Sequence, residues 1–293
     1  MTFSKTLLIG TFASSTLLAN FALQAEVLPE ALQGIKIALA KKPSTRPMTV
    51  AYVPNLKYYY IADGGLAPLG SETEAPISHS QIHAYDDKGK YINSAKPGYD
   101  NRSIYYNPNT KKLETITYNI STEVGFSPNT GIYSINLSDT GEVKETSDEI
   151  MQFNPAFGYA NTMPSYDAAN SRYFAKQGRS AVVFIVDPKL REKVSEITLD
   201  LAKAGAAFDD ISDSFVAFTG VKGEELVVID IDHKAALVFD VTGKFVAKSA
   251  LPQALKLHSQ NHYSGLGYAN DMLFVLNENE GEFGTYYGFK VQK

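Results

Sequence analysis

Asp86-Asp87-Lys88-Gly89-Lys90, Ser138-Asp139-Thr140-Gly141-Glu142 and Asp240-Val241-Thr242-Gly243-Lys244 are three versions of one short hairpin turn. Their glycines stand 52 and 102 residues apart, and 102 is twice 51. The turn missing between them falls near residues 188–192, where Pro188 to Glu192 separates two apolar runs as a degenerate copy. A further copy would fall near position 294, and the sequence stops at Lys293. An all-β repeat of about 50 residues implies a β-propeller, here with five blades. A last blade that lacks its outer strand implies closure of the ring by the N-terminus.

Working outward, the blades read as four short strands each, named a to d from the central channel. Blade one takes residues 49–53, 58–62, 81–85 and 90–93, and blade two takes 103–106, 113–118, 131–135 and 143–146. Blade three takes 164–167, 172–176, 181–186 and 194–199, and blade four takes 215–219, 226–230, 236–239 and 244–248. Blade five offers 265–268, 273–276 and 285–291. β-Branched and aromatic residues fill these segments, and Gly, Asn, Asp and Pro separate them. The fifth outer strand is expected in Gly34-Ile35-Lys36-Ile37-Ala38-Leu39-Ala40, whose period of two puts Ile35, Ile37 and Leu39 on one face. The Ala and Leu content of residues 28–41 also suits a short helix.

Blades one and four resemble NHL-repeat and YVTN-type propellers. In blade one the residues that carry this are Tyr58-Tyr59-Tyr60-Ile61-Ala62-Asp63-Gly64 and Gln81-Ile82-His83-Ala84-Tyr85 running into the Asp86 turn. In blade four they are Leu226-Val227-Val228-Ile229-Asp230-Ile231-Asp232 and Ala235-Ala236-Leu237-Val238-Phe239 running into the Asp240 turn. The resemblance implies a fold and no activity, because such frames carry scaffolds, sensors, hydrolases and lyases alike.

Residues 1–25 read as a signal peptide: Lys5, an apolar stretch with small residues, and Ala25 at the cleavage point. Export to the periplasm or the medium is the expectation, with residues 26–48 holding the closing strand and 49–293 the propeller. Removal of Lys5 takes the formal charge of −5 to −6, which does not favour nucleic acid. No later stretch is apolar enough to span a membrane. The chain has no cysteine, so neither disulfides nor a lipobox attachment are available.

A site is expected where b-to-c and d-to-a loops surround the channel mouth, since loops on a rigid frame carry function. The ends of the b strands then contribute Asp63, Asn119, Gln177, Asp232 and Asn277. The d-to-a loops add Asp100, Asn101, Arg102, Asn161, Asp209, Asp210, His262 and Tyr263. The long loop 64–80, with Glu72, Glu74 and His79, is placed to arch over the mouth. Asp63, Asp209, Asp210 and Asp232 are the oxygen donors that calcium would prefer, and a metal there would polarise an ester or lactone. Against this stands the ordinary use of Asp and Asn as turn formers.

Other motifs narrow the field. No Gly-x-Ser-x-Gly elbow and no phosphate-binding Gly-x-x-x-x-Gly-Lys loop occurs. His79 and His83, four apart on an extended chain, would lie about 13 Å apart, too far for one zinc. His233, His258 and His262 form no zinc signature. Asn101, Asn119 and Asn136 head glycosylation triplets by pattern alone. Tyr58, Tyr59, Tyr60, Tyr105, Tyr106, Tyr286 and Tyr287 suit packing between blades or stacking on a sugar or planar ligand, and the absence of Trp weighs against sugar. A glycosidase would need paired carboxylates, and nothing local demands them of Asp63 with Asp209, Asp210 or Asp232. The reading is a binding module for a protein partner or small ligand in the cell envelope. A metal-dependent hydrolase or lyase, or a structural part of an envelope assembly, are the alternatives.

Overall fold

The computed structural model describes residues 28, 33–43, 46–64, 80–117, 120–121, 125–126, 131–152, 157–159 and 161–292. The signal-peptide expectation, Glu72, Glu74, His79 and Asn119 lie outside these residues. Five four-stranded antiparallel sheets form the blades of a propeller. The first strand among the described residues, β1 (Gln33–Ala38), belongs to the last blade. Blade one is β2 (Arg46–Val53), β3 (Tyr58–Gly64), β4 (Gln81–Asp86) and β5 (Tyr91–Ala95). Blade two is β6 (Ser103–Asn107), β7 (Lys112–Thr117), β10 (Gly131–Leu137) and β11 (Val143–Gln152). A small hairpin, β8 (Ile120–Ser121) with β9 (Gly125–Phe126), interrupts it and was not expected from the sequence. Blade three is β12 (Ser165–Asp167), β13 (Arg172–Lys176), β14 (Val182–Asp187) and β15 (Glu192–Thr198). Blade four is β16 (Ala217–Phe218), β17 (Leu226–Asp230), β18 (Ala235–Phe239) and β19 (Phe245–Ala250). Blade five runs β20 (Leu266–Ala269), β21 (Met272–Asn277), β22 (Thr285–Lys290), and then β1.

The closing strand is therefore a strand and not a helix. β1 pairs antiparallel with β22, Lys36 opposite Tyr287 and Ala38 opposite Thr285. Its alternation is the reason: Ile35, Ile37 and Leu39 are buried against Tyr59, Phe274 and Tyr286, while Lys36 and Ala38 face solvent. The backbone N–H of Ala40 donates to the Tyr85 hydroxyl of blade one at 3.1 Å, and Leu39 N–H donates to Gly284 at 2.9 Å. The clasp thus fastens blade five to blade one.

Each sheet buries both faces against its neighbours, so the core lies between blades rather than within one layer. Phe174, Val183, Leu226 and Leu237 fill the gap between blades three and four. Ile116, Ile132, Tyr173 and Val186 fill that between blades two and three. Burial of such a side chain contributes about 1.5–3 kcal/mol.

The turns that fix the repeat have a second task. Asp86 Oδ1 accepts from the backbone of Lys88 and Lys90, and Asp240 Oδ1 from that of Thr242 and Lys244, which closes each turn on its own side chain. Gly89 and Gly243 have φ of +80° and +88°. A Cβ on Gly89 would stand 2.6 Å from the Lys36 carbonyl of β1, and one on Gly243 2.3 Å from the Thr198 carbonyl. Both turns press on the outer strand of the preceding blade, so glycine is required by conformation and by contact.

Candidate functional site

The five inner strands β2, β6, β12, β16 and β20 surround the channel and touch in a closed ring. We call the end with the b-to-c loops and the blade-to-blade connections upper, and the end with the a-to-b turns lower.

At the upper mouth the connections are hydrogen-bonded to one another through all five blades. Arg102 Nη1 donates to Asn161 Oδ1. Asn161 Nδ2 donates to the Tyr159 hydroxyl at 3.1 Å, and that hydroxyl donates to Asp213 Oδ2 at 3.2 Å. Asp213 N–H donates to the His262 carbonyl at 2.7 Å, and Gly265 N–H to the Pro47 carbonyl at 2.9 Å. Thr49 Oγ1 donates to the Arg102 carbonyl at 3.2 Å and accepts from Ile104 N–H at 2.9 Å, which completes the circle. Arg102 is buried and ion-paired to buried Asp100. Beneath Asp213 lies Lys176, fully buried, whose Nζ donates to the carbonyls of Gln177, Ser180 and Asp213. Burial pulls the Lys176 ammonium down to about 8, and the Asp213 charge opposes this in part. Burial, then Arg102, lowers the Arg46 guanidinium, while Tyr263 works the other way.

The sequence-derived residues are found here as fasteners. Gln177 takes Tyr159 N–H on Oε1 at 2.8 Å and gives Nε2 to the Phe157 and Ala175 carbonyls. Asn277 Oδ1 accepts from Lys256 N–H at 2.5 Å. Asp232, exposed, meets His262 Nε2 at 3.1 Å. Asp63 is fully buried with His83 Nε2 at 3.6 Å. Asp210 Oδ2 closes its own turn on Ala207 N–H at 2.7 Å, and Asp209 is exposed. Tyr263 stands exposed at the rim. Among the described residues no three His, Asp or Glu side chains are gathered to hold a metal ion. Asp63, Asp209, Asp210 and Asp232 are thus not seen as one ligand set. Arg46, Tyr159, Lys176 and Asp213 were missed. A polar residue followed by Ser or Thr and an apolar residue recurs at Arg102-Ser103-Ile104, Asn161-Thr162-Met163 and Asp213-Ser214-Phe215, and aligning these would have found the circuit.

The lower mouth is open. A cavity of about 500 Å³ extends from Thr49, Ile104, Met163 and Phe215 down to the a-to-b turns. Tyr52, Tyr106, Tyr166, Phe218 and Tyr268 line it, one from each blade. Tyr52, Tyr106, Tyr166 and Tyr268 each sit one pair before the last rung of their a-b ladder, opposite Tyr59, Leu113, Tyr173 and Leu273. Phe218 is opposite Leu226 and is followed by the Thr219-to-Glu225 hydrogen bond, so it holds the same register. All five are half-buried. The hydroxyls of Tyr52 and Tyr106 make no hydrogen bond among the described residues. By contrast Tyr105 donates to Glu114 at 2.6 Å and meets the Tyr173 hydroxyl at 2.5 Å. Burial, then Tyr173 and Glu114, raise the Tyr105 hydroxyl well above its ordinary value. Burial, then the adjacent Asp271 carboxylate, raises that of Tyr268.

Of the tyrosines singled out in the sequence, Tyr105 and Tyr106 line the cavity. Tyr59, Tyr60 and Tyr286 are interblade packing: Tyr60 donates to the Gly141 carbonyl at 2.7 Å and Tyr286 to that of Met48 at 2.6 Å.

No family model and no curated protein matches the chain. Solved structures do. A tail fiber of Staphylococcus aureus phage P68 is 13% identical, with a TM-score of 0.53, over 90% of this chain and 53% of that one. A protein of unknown function from Bacteroides caccae is 13% identical over 75% of this chain and 73% of that one, with a TM-score of 0.39. A nidogen/laminin complex is 14% identical over 70% and 64%, with a TM-score of 0.36. The chain spans about half the length of the tail fiber. At 13% identity the likeness to the tail fiber shows the propeller fold alone, a frame consistent with a binding module.

Proposed function

We propose that this is an exported NHL/YVTN-type β-propeller that acts in the periplasm or the medium as a binding module, its ligand or protein partner docking at a channel mouth. The observation that carries the reading is the open cavity of about 500 Å³ at the lower mouth, a size usual for ligand pockets, on a frame locked at its other end. The NHL/YVTN assignment draws on the Asp-x-x-Gly-Lys turns of blades one and four, and export draws on residues 1–25. The metal-dependent hydrolase gains no support from the placement of the described carboxylates. Among the described residues the large exposed apolar side chains are Ile150, Leu190, Val194, Phe208, Tyr263 and Phe283, of which Leu190 and Val194 share the outer hairpin of blade three.

Native mass spectrometry of the mature protein purified gently from its own host tests this. A co-purifying small molecule or polypeptide, lost on Tyr106→Leu or on a rim substitution, is the expected result. A bare mass under every gentle condition, together with turnover of an ester or glycoside lost on Asp63→Ala or Asp232→Ala, overturns it.

A further inference from the structure

Among the described residues the two charged groups on the cavity wall are both acids, Asp167 and Asp271, and no Lys, Arg or His lines it. Asp167 is engaged by Arg172 Nε at 3.1 Å and by Asn170 Nδ2 at 2.8 Å. Asp271 is exposed at the rim beside Tyr268. Five half-buried aromatic rings stand in one register around the same opening. An aromatic face is the negative pole of a quadrupole, so the faces that these rings leave toward the cavity attract positive charge and repel anions; one face of Phe218 is taken, stacked on Phe174 at 4.8 Å. A bare divalent ion would need six or more oxygens around it, and among the described residues no three His, Asp or Glu side chains are gathered to supply them. A cation with an apolar body meets both conditions: methylene or methyl groups against the rings, and charge toward Asp271.

We propose that the lower mouth binds a small organic cation, an alkylated ammonium caged by Tyr52, Tyr106, Tyr166, Phe218 and Tyr268 with Asp271 at the rim. This deepens the binding-module reading and rests on it. Tyr52 and Tyr106 add unspent hydroxyls for a polar group on the ligand's tail. Asp271 is also suited to a clean test. Its φ is +54°, a conformation that Asn adopts readily, so Asp271→Asn removes charge without a new backbone conflict.

The experiment is calorimetric titration of the mature protein with tetramethylammonium, choline and benzyltrimethylammonium at constant ionic strength. The uncharged isostere of choline, 3,3-dimethylbutan-1-ol, is titrated alongside. The expected result is saturable binding of at least one cation, about tenfold or more tighter than the isostere, as one desolvated cation–aromatic contact allows. Asp271→Asn should weaken it several-fold, and Tyr106→Leu about tenfold or more. Lys193→Ala, on the exposed outer strand of blade three, should leave it unchanged. Equal binding of choline and its isostere overturns the cation and leaves a binding cavity for neutral ligands standing. So does a co-purified ligand that bears no positive charge. Absence of binding by all four probes, with a bare native mass, overturns both readings.

Discussion

The two mouths of the channel are built from the same five inner strands and come out opposite in character. The upper mouth holds Arg102, Asn161, Tyr159, Asp213 and His262, and hydrogen bonds among these residues spend their polar groups on one another. The lower mouth holds five aromatic residues in equivalent register, half-exposed around an open cavity. A crowd of polar residues is thus a poor guide to a binding site when the groups satisfy one another. What marks a site is surface left open, and at the lower mouth the half-exposed rings around the cavity supply it.

The largest effect should come from removing what both mouths share. Deleting residues 26–40 takes away Ile35, Ile37 and Leu39, each contributing about 1.5–3 kcal/mol, against a whole-domain stability of about 5–15 kcal/mol. It also leaves β22 as a bare edge. Circular dichroism should show loss of the cooperative thermal transition, and an unchanged melting temperature would remove the clasp from the account.

Arg102→Met should separate the mouths. It removes the Arg102 half of a buried ion pair with Asp100, at a cost of about 3–5 kcal/mol in urea titration, while lower-mouth binding persists in the folded fraction. If stability holds and binding is lost, the assignment of the two ends is reversed.

Alkaline pH offers a finer comparison. Lys176, lowered to about 8 when folded and near 10.5 when unfolded, binds more protons in the unfolded chain between those values, so its contribution favours the fold increasingly as pH rises across that window. Tyr268, raised by burial, has the opposite sign: its contribution is complete below pH 10 and is lost above it. Each group changes stability by at most about 1.4 kcal/mol per pH unit. Urea midpoints from pH 7 to 11 should lose the rise in Lys176→Met and part of the fall in Tyr268→Phe.

The smallest stability effect is expected at the belt. Tyr106→Leu keeps most of the apolar contact of a half-exposed ring and should cost about 1 kcal/mol or less. A severe loss would recast the belt as core.

The architecture was legible because turn chemistry and strand period are local. Gly89, Gly141 and Gly243 gave the repeat, and the alternation of Ile35, Ile37 and Leu39 gave the clasp. The β8–β9 hairpin was not legible, since its strands are two residues each and leave no period to read. The sites were harder. Gln177 and Asp232 follow their b strands and Asn277 ends its own, yet which atoms each meets depends on connections folded from distant blades. Lys176 reads as an ordinary strand residue, and its burial beneath Asp213 is decided by the next blade. The belt hid for another reason. Tyr52, Tyr106, Tyr166, Phe218 and Tyr268 align only once strand registers are known, and the neighbouring Tyr59 and Tyr105 mask them in the sequence.

The clasp also sets a timetable. Ile35 pairs with Gly288, so β1 finds its partner only after the four blades between them have been made. Joining such distant segments carries the entropy of a very long loop, though that cost grows only with the logarithm of its length. Until then the edge of β1 is an unsatisfied template, open to a neighbouring chain. Slow folding of this kind makes a swapped β1 between two chains the characteristic way for this ring to misassemble.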